Sequence, residues 1–417
     1  MRGTMPDADS TKRGGPLPDP NARILPFPNH EPMHTVTDHL PIDLTTTSFL
    51  EQLPDDPAPV DLTAPFTIGR SGTTPVTVEG RIALAPMAGV SVQAFRRQGR
   101  RFGASVVFTE MVSVSGLHYA NERTRDYLRI ATDEHPIAVQ LFGTDPVLMR
   151  DAAQQVKASG ADMIDINMGC PVKKVSKTGA GCALLDDHDT AVAVAKACVD
   201  ATDLPVTVKI RRGMKNGSMD FLTLGPRLVE EAGVSALTLH PRSAAQMYTG
   251  FADHALTRML VERVDVPVFA SGDVTDRVRA EAVMALTGCT AVMVGRAAQG
   301  NPWAVRDLST GRAVEPEPEE RVAELVRFIR EVVREMGDHR ATGFLRKFYG
   351  WYLRGPAFGK DARRELMVLE SPGEVEALLL DRWPGALPRL AELESTVRYP
   401  DDTDRVIELP VSIYGGG

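Results

Sequence analysis

Eight short apolar, β-branched runs recur through the middle of this chain. Each ends near Gly, Asn, Asp, Ser or Pro, and amphipathic stretches fill the intervals. The runs are Ile82–Ala85, Val106–Thr109, Ile137–Leu141, Met163–Asn167, Val206–Ile210, Ala236–His240, Val268–Ser271 and Ala291–Gly295. Helical periodicity lies between them at 147–159, 189–199, 221–232, 254–263 and 277–287. Strands that are apolar on both faces belong in a parallel sheet covered on both sides. Eight such units within about 240 residues predict an α/β fold, a (β/α)8 TIM barrel. A doubly wound sheet is the alternative. The count of eight and the polar residues at the strand ends favour the barrel.

The flanks read differently. Residues 1–65 are rich in Pro, Asp and Thr with no sustained periodicity, so a disordered N-terminal extension is expected. The barrel is expected over 66–312 and a small all-helical domain over 313–398. Helices are predicted there at 321–336, 339–353, 372–381 and 387–397, with an irregular tail at 399–417. No run approaches the roughly 18 apolar residues of a membrane span, so no membrane association and a cytoplasmic location are the expectations. No sequence feature sets the oligomeric state, and a monomer is the default expectation. The four cysteines, at 170, 182, 198 and 289, form no CxxC pair, which points to free thiols and no metal site.

The net charge of −8 argues against nucleic acid until it is mapped along the chain. Residues 1–63 hold 10 acids against 4 bases, whereas residues 321–364 hold 11 bases against 5 acids. Arg327, Arg330, Arg334, Arg346, Lys347 and Arg354 therefore read as an RNA-facing basic segment, with Trp351 and Tyr352 beside it for packing or stacking.

Active sites of such barrels lie at the C-terminal ends of the strands. In chain order those ends supply Pro86-Met87-Ala88, Glu110, Gln140, Asn167 with Cys170, Lys209, His240 with Arg242, Ser271-Gly272-Asp273 and Gly295-Arg296. Taken singly, each has a plain structural reading, such as a buried amide, a snorkelling lysine or a tight turn. Together the set suits a phosphorylated cofactor carrying an isoalloxazine ring. Pro86, Met87 and Ala88 would floor the ring, Gln140 would meet its pyrimidine edge, and Lys209 would stabilise an anionic reduced form. Gly272, Gly295 and Arg296 would hold the phosphate. The chain has no GxGxxG after a strand, so FMN is favoured over a dinucleotide in a Rossmann fold.

These segments resemble the tRNA-dihydrouridine synthase family over roughly residues 66–395. The resembling stretches are APMAGV (85–90), TEMVS (109–113), NMGCPVKKV (167–175), GAGCALL (179–185), VKIRRG (208–213), HPRSAAQMYTG (240–250), SGD (271–273), GRAAQGNPW (295–303) and LRKFYGWY (345–352). The resemblance implies FMN, NADPH (or NADH) as reductant, and tRNA as substrate. It also implies hydride passing from flavin N5 to C6 of a uracil and a proton from Cys170 to C5. His240, Ser271 and Asp273 are carried over as groups near the flavin, and Asn167, Arg242, Arg346 and Lys347 as substrate contacts. A small-molecule FMN oxidoreductase, such as a dihydroorotate dehydrogenase or an enoate reductase, is the competing expectation. Ser271 replaces an Asn, Phe348 a His, and Pro241 a smaller residue in the family pattern.

Overall fold

The computed structural model describes residues 40–55, 59–119 and 126–395. A hairpin, β1 (Phe66–Ile68) and β2 (Val76–Val78), precedes the sheet. The eight sequence runs become β3 (Ile82–Leu84), β4 (Val106–Phe108), β6 (Ile137–Phe142), β7 (Met163–Met168), β8 (Val206–Arg211), β9 (Ala236–His240), β10 (Val268–Ser271) and β11 (Ala291–Val294). The two-residue β5 (Val112–Ser113) pairs with the end of β6. All neighbours in this sheet are parallel, and β4 bonds to both β3 and β6, which closes the cylinder. The predicted (β/α)8 barrel is the observed fold.

Small and large side chains alternate inside the barrel: Ala83, Ala138, Ala236 and Ala291 against Phe108, Met163, Phe269 and Met293, all buried. The hairpin plugs one end of it, with Phe66 meeting Phe269 edge-on at a centroid separation of 5.7 Å. The other end is left for polar side chains.

Local chemistry sets the helices between strands. Asp145 Oδ1 accepts the N–H groups of Val147 and Leu148 at 2.8 and 3.2 Å and starts Pro146–Ala158. Asp187 and Asp276 do the same for His188–Val199 and Arg277–Thr287. Beyond the barrel, Pro318–Tyr352 is two helices meeting at Gly337, which lies at φ 75°. This is the break anticipated between 336 and 339. Pro372–Arg382 and Ala386–Ser395 follow and pack back on it.

The extension differs from its expectation. Residues 1–39 lie outside the described residues, but 41–53 are ordered against the barrel. Ile42, Leu44, Phe49 and Leu62 are buried, Ile42 N–H donates to Asp253 Oδ1 at 3.0 Å, and Arg279 Nε donates to the Leu44 carbonyl at 2.6 Å. A few apolar residues spaced among prolines and acids suffice once a ready-made surface receives them. The tail at 399–417 lies outside the described residues.

Candidate active site

Register places the polar residues of β6 to β9 side by side at the open end. Gln140 pairs with Asp165, Asn167 with Lys209, and Arg211 with His240. A chain of hydrogen bonds crosses them. Thr207 Oγ1 and Gln140 Nε2 each donate to Asp165 at 2.6 Å. Asn167 Nδ2 donates to Gln140 Oε1 at 2.9 Å, and Asn167 Oδ1 accepts the N–H of Gly169 at 3.2 Å and of Cys170 at 2.9 Å. The position of the Cys170 loop is thus fixed from the barrel interior. Burial raises the Asp165 carboxyl to about 6 against the pull of these donors.

Cys170 is partly exposed. Burial raises its thiol above the ordinary cysteine value, only partly offset by the Val172 backbone and the Arg211 charge, so the group carries its proton at neutral pH. Arg211, itself buried, holds the loop from the far side: Nε donates to the Gly169 carbonyl at 2.9 Å, and one terminal nitrogen to Ser243 O at 3.0 Å and Met247 O at 2.9 Å. Cys182 N–H donates to the Cys170 carbonyl at 3.1 Å. Cys182, Cys198 and Cys289 are buried.

On the neighbouring strand β8, Lys209 Nζ donates to Ser271 Oγ at 3.4 Å. Burial and the neighbouring Arg211 lower its pKa to about 8. His240 sits between Lys209 and two arginines, and burial followed by these charges pushes its pKa well below the ordinary range. Arg242 approaches His240 Nε2 at 3.1 Å. A guanidinium only donates, so Nε2 accepts and the imidazole proton belongs on Nδ1. Gly272 turns the chain after β10 at φ 117°; a Cβ there would lie 2.7 Å from Ala252 Cβ and 2.9 Å from the His240 ring. Its carbonyl accepts from His254 Nε2 at 2.8 Å.

Most of the residues expected at the site converge here. Pro86 and Met87 are half-buried and Ala88 exposed on the turn after β3, and Gly295 faces Ala85 and Met87 across it. Arg296 is about half exposed, reaching Asp273 at 3.4 Å and lying over the Tyr248 ring at 5.0 Å. Two roles shift. Gln140 is 1% exposed and tied to Asp165 and Asn167, so it braces the site floor. Arg242 is enclosed, donating to both Asp273 oxygens at 2.8 and 2.7 Å and to the Thr249 and Gly250 carbonyls. It holds the site wall. Asp165, Thr207 and Tyr248 were missed; an acid in the middle of the apolar run MIDIN was the available signal for Asp165.

The basic segment is more structural than its charge count suggested. Arg327 is buried and pairs with Glu331 at 3.2 Å. Arg330 pairs with Glu376 and Glu394 at 2.5 and 2.6 Å. Tyr352 and Phe348 are fully buried, and Trp351 stacks edge-on to Phe348 at 5.0 Å, in a packing role. Arg346 is exposed. Lys347 turns inward and donates to the Gly89 carbonyl.

A cavity of about 440 Å³ opens at the hairpin-plugged end, lined by Thr74, Thr77, His135, Asp162 and Leu204, far from these groups. A second, of about 400 Å³, lies beside the turn after β3.

Residues 83–384 match the family described as Dihydrouridine synthase (Dus). The chain belongs to the dihydrouridine synthase family. It is 39% identical over 284 residues to tRNA-dihydrouridine synthase B of Pseudomonas aeruginosa, covering 67% of this chain and 85% of the relative. It is 38% identical over 312 residues to tRNA-dihydrouridine synthase B of Escherichia coli, covering 72% and 95%. Among solved structures, a morphinone reductase mutant in complex with tetrahydroNAD aligns with a TM-score of 0.47 at 14% identity, over 62% of this chain and 93% of that one. The dihydrouridine synthase match begins at β3, so the hairpin and the strap at 41–53 stand ahead of it.

Proposed function

We propose that this chain is a tRNA-dihydrouridine synthase: it reduces the C5=C6 bond of uridines in tRNA, with FMN as cofactor and NADPH or NADH as reductant, in the cytoplasm. The observation that carries this reading is the loop geometry: Asn167, which stands beside Lys209 in the register of β7 and β8, accepts the Cys170 N–H and so holds a partly exposed thiol at the end of the strand next to a partly buried lysine. The family membership and the relatives' names support it.

The residues present fit FMN. Lys209 brings a cation into a largely buried floor, where it would hold negative charge on the pyrimidine side of a flavin. Pro86, Met87 and Ala88 would lie against the ring, and Gly272, Gly295 and Arg296, with Ser271 and Asp273 beside them, would form the phosphate end. Bound FMN supplies the hydride that the uracil accepts at C6.

The chain's own groups do the rest. Cys170 Sγ–H donates its proton to C5, a role open to a thiol that burial keeps protonated at neutral pH. Asn167 and Arg211 hold the loop that aims this thiol. Neutral His240, with its Nδ1–H, offers a donor to the base or ring without adding charge beside Lys209. The target base enters such a pocket only when turned out of its stack. Arg346, exposed on the helix that borders the mouth, is placed for tRNA phosphates. Incubating NADPH-reduced, FMN-loaded protein with tRNA that lacks dihydrouridine tests the function. Dihydrouridine in the nucleoside digest is expected. Flavin reoxidised faster by orotate or an enone than by tRNA would favour a small-molecule reductase instead.

A further inference from the structure

The turn after β3 is gripped at one residue from two sides. Gly89, at φ 71°, donates its N–H to Glu110 Oε2 at 2.6 Å, and its carbonyl accepts from Lys347 Nζ. Glu110 stands just past β4, whereas Lys347 comes from the second half of the helix bent at Gly337. The ammonium also lies over the Phe344 ring at 4.2 Å and the Phe348 ring at 5.5 Å, and Phe348 is fully buried. A lysine so engaged has its ammonium held between the Gly89 carbonyl and two aromatic rings, with the Glu110 carboxylate acting on it from the other side of Gly89. A phosphate-seeking lysine needs its ammonium free at the surface, as Arg346 next to it is exposed.

The same helical element fastens the chain a few residues on. Glu335 Oε1 accepts the Gln93 N–H at 3.0 Å and Oε2 the Ala94 N–H at 2.9 Å, capping the helix Gln93–Arg101 from outside. Within the turn, Ser91 Oγ accepts from Met87 N–H at 2.9 Å and donates to the Ala85 carbonyl at 3.0 Å. Residues 85–94 are therefore anchored to the C-terminal helices at both Gly89 and Gln93–Ala94.

We propose that Lys347 is a positioning residue that fixes the Pro86–Gly89 turn to the C-terminal helices, and so sets the floor of the flavin site, in place of the tRNA contact expected from sequence. This rests on reading the barrel mouth as an FMN site. The helical segment that borders the RNA side thus also governs how well the cofactor is seated.

The test compares wild type, Lys347→Met and Lys347→Arg. Apoprotein is titrated with FMN by flavin fluorescence, and the visible absorption and circular dichroism of the bound flavin are recorded. Affinity for tRNA is measured on FMN-saturated protein across a salt series. Losing one charge-assisted hydrogen bond predicts FMN affinity about tenfold weaker in Lys347→Met, with altered flavin bands. Lys347→Arg should recover most of the affinity, and the tRNA salt slope should stay at the wild-type value in both. Unchanged FMN affinity and flavin bands in Lys347→Met overturn the proposal, whatever happens to tRNA binding. So does a Lys347→Arg protein as impaired as Lys347→Met, since general loss of structure would then explain both. A wild-type protein that takes up no FMN would instead remove the functional reading itself, and this proposal with it.

Discussion

The side-chain oxygen of Asn167 accepts the backbone N–H of Cys170 at 2.9 Å while the Asn167 amide donates to Gln140 at 2.9 Å. One residue thereby joins the thiol loop to the buried Gln140–Asp165–Thr207 chain. The thiol's aim depends on a hydrogen-bond network buried in the barrel.

Asn167→Ala should separate positioning from chemistry. It leaves Gln140 Oε1 and two loop N–H groups without their partner, a cost of about 1–3 kcal/mol in stability. Because a small misplacement of a reacting group can cost about a hundredfold, dihydrouridine formation should fall on the order of 10²-fold while FMN content is retained. Denaturant unfolding and single-turnover product assays check this. A variant with wild-type turnover would show that the loop holds its place without Asn167.

Lys209 sets a pH signature. Its pKa is lowered to about 8, so the side chain is cationic below that value and loses its charge above it. Any step that needs the cation weakens as pH rises through about 8, and kcat/KM should show an alkaline limb there. Lys209→Arg keeps the charge and should move the limb out of range. A limb that stays near 8 in that variant belongs to another group.

Arg346 carries the electrostatic prediction. Replacing this exposed residue by Gln should weaken tRNA binding and reduce the salt slope by about 1, with unchanged flavin content. Equal slopes in filter-binding titrations would place the phosphate contacts elsewhere. Arg327 and Arg330 should not behave this way, because their guanidinium groups pair with Glu331, Glu376 and Glu394.

Sequence revealed the barrel because fully buried parallel strands leave continuous apolar runs, and β9 and β10 match their runs end to end. The strand-end residues were legible for the same reason: polar side chains closing apolar strands stand out. What each group touches was not. Arg242 read as a substrate contact and Arg330 as an RNA-facing cation because their acidic partners, Asp273 and Glu376, lie 31 and 46 residues away in the chain. Lys347 read as an RNA contact because its acceptor, the Gly89 carbonyl, is 258 residues distant and carries no side-chain signal. The strap at 41–53 was invisible since Ile42, Leu44 and Phe49 are too few to sustain a helical or strand period, and the surface they cover belongs to the barrel.

The most direct test is Cys170→Ala. General-acid catalysis by a positioned group contributes about 10²–10⁴-fold, so loss of the thiol should cut dihydrouridine formation by at least about 10²-fold. Flavin content, NADPH-driven flavin reduction and tRNA affinity should remain near wild type. Nucleoside mass spectrometry of tRNA treated with the FMN-loaded variant makes the measurement. Near-absent dihydrouridine with normal flavin reduction is the predicted result, and wild-type dihydrouridine levels would contradict the assignment of Cys170 as the proton donor.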